Sequence, residues 1–251
     1  IMGLFKNAHA SHEHSLEVLN EIYGYDSFLD GIRSMADMGC GAGLDVNWWA
    51  TLETRDYPSV PRDIKVYAVD NNIKQLELDI GEIKNVIPID GDFTKRIVPV
   101  EVDLIWSHDS FQFVKDPFEC LRIWRNTLNV NGMLMLTIPQ TTYMYNNRLV
   151  VSNYDHQYHS YNILNLIYIL AVSGFDCRDA YFYRKENSPW LYAGVYACDH
   201  EQLPPNPTWY DLAERRLIND SIINSVNRYG YARLEDVVVS WFDKNLYQIT
   251  N

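Results

Sequence analysis

No apolar run in the sequence approaches the roughly 18 residues that a membrane-spanning helix requires. The longest candidate, 163–172, is too short and is interrupted by Asn165. Paired cysteines are also lacking. Cys40, Cys120, Cys177 and Cys198 are scattered, with no Cys-x-x-Cys, which argues against a disulfide framework or a zinc site and for free thiols in a reducing cytoplasm. Basic clusters are missing too: 21 Lys and Arg stand against 33 Asp and Glu, a net charge of −12. A phosphate backbone normally selects a basic face, so nucleic acid is a poor candidate partner. Residues 1–20 hold three histidines and two acids where a secretory leader would be apolar, and the expected location is the cytoplasm. Those histidines, His9, His12 and His14, have His-x-His spacing but no supporting cysteine or His-Glu-x-x-His helix, so no metal is expected and a solvated helix start is the default.

What is there is a chain of 251 residues, 47% hydrophobic, long enough for one large domain with or without an appendage. Leu16, Leu19 and Tyr23 share a face and predict a helix over 11–23, with a further turn over 28–32. From Ser34 onward element types alternate. Short apolar strands are expected at 34–38, 65–69, 86–89, 102–107 and 133–138, with helices at 44–53, 73–84 and 117–128 and a proline-bearing loop at 55–63. Near-continuously apolar strands alternating with helices predict a parallel sheet covered on both faces. Asn131-Gly132 reads as a helix-to-strand turn. Residues 140–161 read as a long polar and aromatic loop, 162–172 as a helix stopped at Gly174, and 175–184 with 190–198 as an antiparallel strand pair. Beyond the boundary at 199–207, two helices separated at Gly230 are expected, with apolar residues to dock on the main domain or on a second subunit; docking is favoured and a homodimer stays open. The predicted division is an N-terminal helical segment (1–33), a ligand-binding core (34–199) and a C-terminal helical extension (200–251).

The stretch Ala36-Asp37-Met38-Gly39-Cys40-Gly41-Ala42-Gly43-Leu44 places a glycine loop behind the first strand, at the carboxyl edge where ligands bind in doubly wound sheets. Glycines there admit a ligand close to the backbone. A P-loop would need Gly-Lys-Ser/Thr, and the chain has Gly43-Leu44-Asp45. The dinucleotide pattern Gly-x-Gly-x-x-Gly would need glycine at 44, and Asp45 at the helix start disfavours a pyrophosphate; that reading is weakened. A nucleoside carrying an amino acid fits better. Asp70 at the end of the second strand could accept from ribose hydroxyls, Asp92 with Phe93 could meet an adenine, and Asp37 could hold an ammonium group.

With Asp37–Gly43, Val66–Asp70, Ile89–Phe93, Val102–Pro117 and Leu128–Pro139 in this order, the sequence resembles the class I S-adenosylmethionine-dependent methyltransferases, most closely their small-molecule-type group. The resemblance spans roughly residues 12–198. It implies a seven-stranded Rossmann-like sheet with an antiparallel last strand, S-adenosyl-L-methionine as cofactor, and cofactor contacts at Asp37, Gly39, Cys40, Gly41, Asp70, Asn71, Asp92, Phe93 and Ser107. The chain departs from the family at Gln112 and Phe113, where histidine is frequent, and at Val130–Met133, where a Pro-Gly-Gly run is frequent.

Methyl transfer from a sulfonium is an in-line displacement, for which a protein supplies position, desolvation and, where needed, a base. His108 and Asp109, just past the fourth strand, are the expected catalytic residues. Long loops at a ligand edge commonly form substrate walls, so Tyr143, Arg148, His156 and His159 are the expected substrate contacts, with Tyr145 and Tyr154 beside them. Of the adjacent Trp48 and Trp49, one at most can face the sheet fully. The expected reaction is methylation of a small molecule at O, N or C. Protein methylation, or a cofactor-binding module without turnover, are the alternatives.

Overall fold

The computed structural model describes residues 12–237 apart from 21, 23–25, 54–61, 75, 77–82, 141, 152–156, 185–188 and 200–202. Seven strands form one sheet in the order β3-β2-β1-β4-β5-β9-β8. These are β1 (Ser34–Met38), β2 (Lys65–Asp70), β3 (Val86–Asp90), β4 (Val102–His108), β5 (Leu128–Pro139), β8 (Phe175–Arg184) and β9 (Trp190–Ala197). The first five run parallel, and β9 inserts antiparallel between β5 and β8. This is the Rossmann-like methyltransferase arrangement that the sequence predicts. Strand β1 lies between β2 and β4, so the chain order reverses direction there and opens a crevice at the carboxyl ends of β1 and β4.

Alternate strand residues feed two cores. Met35, Leu104 and Trp106 face a layer with Leu19, Val46 and Trp49, from helix α1 (12–20) and helix α3 (Leu44–Ala50). Ala36, Met38 and Ile105 face the other side, with Trp124, Leu166 and Leu170, from helices α4 (Pro117–Arg125) and α5 (Ile163–Val172). A short helix α2 spans Asp26–Leu29. Helix α4 starts where Asp116 accepts the Glu119 N–H and Pro117 needs no donor partner. Asn162 and Asn165 close a reciprocal cap on α5. Trp49 is fully buried and Trp48 is half-buried against it, so one indole of the pair enters the core.

Several local expectations are corrected. The helix expected over 117–128 ends at Arg125, and Leu128 already pairs with Val102. Asn131-Gly132 is therefore no turn between elements but a bulge inside β5: the register jumps from Val102↔Leu128 to Leu104↔Met133, with Asn131 at φ 62°. Helix α3 stops at Ala50, short of residue 53, and residues 83–85 are not helical although a helix over 73–84 is expected. The segment 140–161 is not all loop. Thr142–Tyr145 (β6) and Arg148–Val151 (β7) make an antiparallel hairpin. Its two-residue turn is Asn146-Asn147, both at positive φ, the geometry that matches strand twist and that asparagine tolerates best after glycine. The expected loop 55–63 and the turn 185–189 fall largely outside the described residues.

The C-terminal extension docks on the main domain. Helices α6 (Trp209–Glu214) and α7 (Asp220–Tyr229), with the link between them, bury Leu212, Leu217, Ile218, Ile222 and Val226 in the same core as α5 and β8. Ile218 also bridges to Cys177 on β8. Gly230 does not separate these helices; it caps the second at φ 81°. Trp241 and Phe242 lie outside the described residues. Among those that are described, no helix is long and apolar enough to cross a membrane, and the four cysteines are free.

Candidate active site

The loop after β1 is tied to its neighbours through backbone. The N–H groups of Gly39 and Cys40 both donate to the Val69 carbonyl of β2, at 2.9 and 3.1 Å. The Gly41 N–H donates to Asp70 Oδ2 at 2.9 Å, while Asp70 Oδ1 accepts the Asn72 N–H. Asp70 is thus aimed by two backbone donors and only partly buried, with lone pairs left to accept from a ligand. Asn71 beside it is exposed. Gly39 is required by close approach: a Cβ there would lie 2.5 Å from Ser110 Cβ and 3.4 Å from the Phe93 ring. Phe93 therefore borders the loop, held by its carbonyl accepting Trp124 Nε1–H at 2.9 Å. Asp92 is exposed, and its Oδ1 accepts from the backbone and hydroxyl of Thr94.

Beneath the loop, Asp37 is 2% exposed and no donor among the described residues reaches its Oδ2. Burial, then the nearby carboxylates of Asp45 and Asp70, push its carboxyl well above the usual range. Burial, and then Asp37 and Asp70, push the Cys40 thiol up as well, so it is held as a neutral thiol. Asp45, in the first turn of α3, has the opposite surroundings. Burial pushes its carboxyl up, but donors from His12, Ser15 and Trp106, with the charge of His108, outweigh that and hold it below the usual range. Ser15 Oγ donates at 2.7 Å and Trp106 Nε1 at 2.9 Å, and His12 Nδ1 bonds the same Oδ1 as Ser15. The histidines of the N-terminal segment are therefore not simply solvated. His12 pins α1 to the glycine-loop helix, and His14 sets its ring edge against Trp190 at 4.8 Å. His9 lies outside the described residues, and none of those described form a group that could hold a metal.

On the β4 side, Ser107 Oγ and Ser110 Oγ lie 2.8 Å apart and both sit within hydrogen-bond distance of the Met38 carbonyl, so one hydroxyl donates to that carbonyl and the other to its neighbouring serine or to the same carbonyl. Ser107 thus fastens β4 to the base of the loop. Ser110, which the sequence reading passed over, does the same and walls Gly39; it sits two residues past the expected catalytic His108, and nothing local in sequence marks it. His108 is 8% exposed, its ring roughly parallel to Trp190 (5.4 Å, 27°) and to Trp106 (6.3 Å, 16°). Asp109 is half-buried at φ 54°, a left-handed backbone uncommon outside glycine. Its N–H reaches the Thr137 carbonyl of β5 and its Oδ1 accepts Gln112 Nε2 at 2.7 Å. Asp37, Asp70, the glycine loop, Ser107, His108 and Asp109 are therefore brought together at one crevice.

The substrate contacts expected downstream are not brought together in the same way. Tyr143 and Arg148 sit in the β6–β7 hairpin, with Arg148 exposed. His159 bonds the Lys115 carbonyl at 3.0 Å, tying the segment before α5 to the start of α4. Tyr154 and His156 lie outside the described residues.

Residues 36–136, which carry the loop, both acids and β4, match the family described as a methyltransferase domain. Over these residues the chain is similar to S-adenosylmethionine-dependent methyltransferases. No curated protein sequence matches it. Solved methyltransferases share its fold. One from Clostridium acetobutylicum superposes with a TM-score of 0.53 at 13% identity over 72% of this chain and 91% of that one. The CurJ carbon methyltransferase gives 0.52 at 14% identity, over 67% of this chain and 49% of its own. The 1,6-didemethyltoxoflavin-N1-methyltransferase of Burkholderia thailandensis, solved with S-adenosylhomocysteine, gives 0.50 at 12% identity over 77% and 86%. At such identities the likeness is one of fold, and the second and third of these act on different atoms, so fold alone leaves the acceptor open.

Methyltransferases of this fold bind S-adenosylmethionine, which supplies an electrophilic methyl on a sulfonium. The residues present fit that molecule. A buried carboxylate oxygen without a donor suits an ammonium group, a backbone loop cleared of side chains suits close approach, and a backbone-oriented acid suits paired hydroxyls.

Proposed function

We propose that this methyltransferase acts on a small molecule held at the carboxyl edge of β4. The cofactor reading rests on Asp37 Oδ2, a buried acceptor with no donor directly under the glycine loop. In this assignment Asp37 faces the amino-acid end of S-adenosylmethionine, the Gly39–Gly41 backbone its carboxylate, Asp70 and Asn71 the ribose, and Asp92 with Phe93 the adenine. Ser107 and Cys40 shape the loop that carries these contacts.

The small-molecule reading is supported by what roofs His108. His14 of α1 meets Trp190, and Trp190 lies over His108. An acceptor side closed in this way suits a metabolite better than a folded polypeptide, and the net charge of −12 does not favour nucleic acid. His108 and Asp109 are assigned to the acceptor side, where the Asp109 carboxylate can take a proton that the acceptor loses. The hairpin with Tyr143 and Arg148, together with His159, forms the outer wall in this reading. The free thiols fit a reducing compartment such as the cytoplasm.

Calorimetry against S-adenosylmethionine and NAD, followed by transfer of labelled methyl to the metabolite and protein fractions of a cell extract, tests both parts. Binding of NAD with no response to the methyl donor would overturn the cofactor assignment. Label confined to protein would overturn the substrate class.

A further inference from the structure

Past Asp109 the chain enters a 3-10 turn, Phe111–Phe113, whose central residue Gln112 is completely buried. A carboxylate can only accept, so the 2.7 Å contact with Asp109 Oδ1 identifies the amide end that faces Asp109 as Nε2. The other end, Oε1, is buried and no donor among the described residues reaches it. An amide oxygen removed from water and left without a donor is costly, and such an atom calls for a counterpart outside the protein.

The place of Gln112 says which counterpart. Its neighbour Ser110 walls Gly39 of the cofactor loop. Asp109, which holds its Nε2, is anchored to Thr137 at the end of β5. Its own carbonyl accepts the Tyr158 N–H from the segment leading to α5. The residue is thus enclosed by the carboxyl ends of β4 and β5 and by the wall assigned above to the acceptor.

Resting on the small-molecule reading, we propose that Gln112 Oε1 accepts a hydrogen bond from the methyl acceptor, which makes the substrate a molecule with an N–H or O–H on or directly beside the atom that is methylated. In the transfer, the acceptor lone pair forms the bond to the methyl carbon and the carbon–sulfur pair stays on sulfur. The proton that the acceptor loses passes to the Asp109 carboxylate and on to water. A carbon acid with no such donor leaves Oε1 unsatisfied and is rejected, by the same asymmetry that makes sites built for a donor discriminate against analogues lacking it.

The test supplies methyl-labelled S-adenosylmethionine and a deproteinised metabolite extract to the full chain, and locates the label by mass spectrometry and NMR. The expected product carries the methyl on a nitrogen or oxygen that bore hydrogen, or on an atom next to one. With that acceptor in hand, Gln112→Met raises its KM tenfold or more while S-adenosylhomocysteine binds within twofold of the wild type. A methyl on a carbon with no neighbouring N–H or O–H overturns the proposal, whatever the variant does. So does a Gln112→Met enzyme with unchanged KM, or one that has lost S-adenosylhomocysteine, since Oε1 then serves the cofactor or the fold. Absence of label from every metabolite fails the small-molecule reading itself, and the proposal with it.

Discussion

The backbone N–H of Gly41 donates to Asp70 Oδ2 at 2.9 Å, joining the glycine loop of β1 to the acid that ends β2. In the assignment proposed above, Asp70 therefore has two tasks, shaping the loop and presenting its remaining lone pairs to the ribose. Asp70→Ala removes both, and the expected loss is about 1–3 kcal/mol of cofactor binding, the scale for leaving buried partners unpaired. Titration calorimetry with S-adenosylmethionine measures it. Unchanged affinity would place the ribose elsewhere.

Asp37 makes cofactor binding pH-dependent in this account. Burial, then Asp45 and Asp70, raise its carboxyl in the free protein, so it carries a proton over a range where an exposed aspartate would not. An ammonium group arriving at Oδ2 favours the ionised form, and binding releases that proton. Affinity then rises with pH up to the free-protein value, by up to tenfold per unit. The rise holds only where the α-amine of the cofactor stays protonated. Calorimetry in two buffers of different ionisation enthalpy counts the protons: release is expected from the wild type and none from Asp37→Asn.

How much of this was legible beforehand depends on range. Strand β1, the loop, Asp70 and the alternation of elements follow from local apolar runs and glycine spacing, and they came out where the sequence puts them. The β5 bulge did not, because a helix-to-strand turn and a bulge both use Asn-Gly, and only pairing with β4 separates them. The hairpin at 142–151 was hidden for a similar reason: Asn146-Asn147 is a weaker turn signal than Asn-Gly. In the sequence alone Asp45 shows only as a charge unfavourable to phosphate. Its partners His12 and Trp106 are 33 and 61 residues away, a distance no window along the sequence spans. Gln112 was noted as a departure from the family, but its bond to Asp109 needs the 3-10 turn to be seen.

Gly39 and Ser110 are close enough for their substitutions to interact. A methyl at 39 meets Ser110 Cβ at 2.5 Å, and φ is 85°. Gly39→Ala should cost about 1–3 kcal/mol of stability, combining left-handed strain with overlap. Pairing it with Ser110→Gly removes the overlap and leaves the strain. Denaturant unfolding of both single variants and the double should therefore give a favourable coupling of at least about 0.5 kcal/mol. Strict additivity would show that the loop relaxes away from Ser110.

The clasp on Asp45 predicts behaviour in acid. Burial opposes its ionisation, but His12, the charge of His108, Ser15 and Trp106 together hold its carboxyl below the usual aspartate range in the folded protein. The unfolded chain then binds a proton more readily than the folded one. Asp45 contributes stability that is complete above about pH 5 and is lost as pH falls toward its folded value. Asp45→Asn keeps the shape but cannot titrate, so its stability should fall less steeply than the wild type's from about pH 5 down to pH 3. At pH 7 the same variant should be weaker by about 1–3 kcal/mol, because charge-assisted bonds become neutral ones and one amide end faces donors. Urea unfolding across pH 3–7 reads both effects. Helix α1 should loosen with it, since His12 and Ser15 are its ties to α3, and hydrogen exchange over residues 12–20 should rise in the variant while exchange in β5 stays at the wild-type level. Parallel acid limbs for the two proteins would mean that His12 and Trp106 do not hold Asp45 ionised in solution.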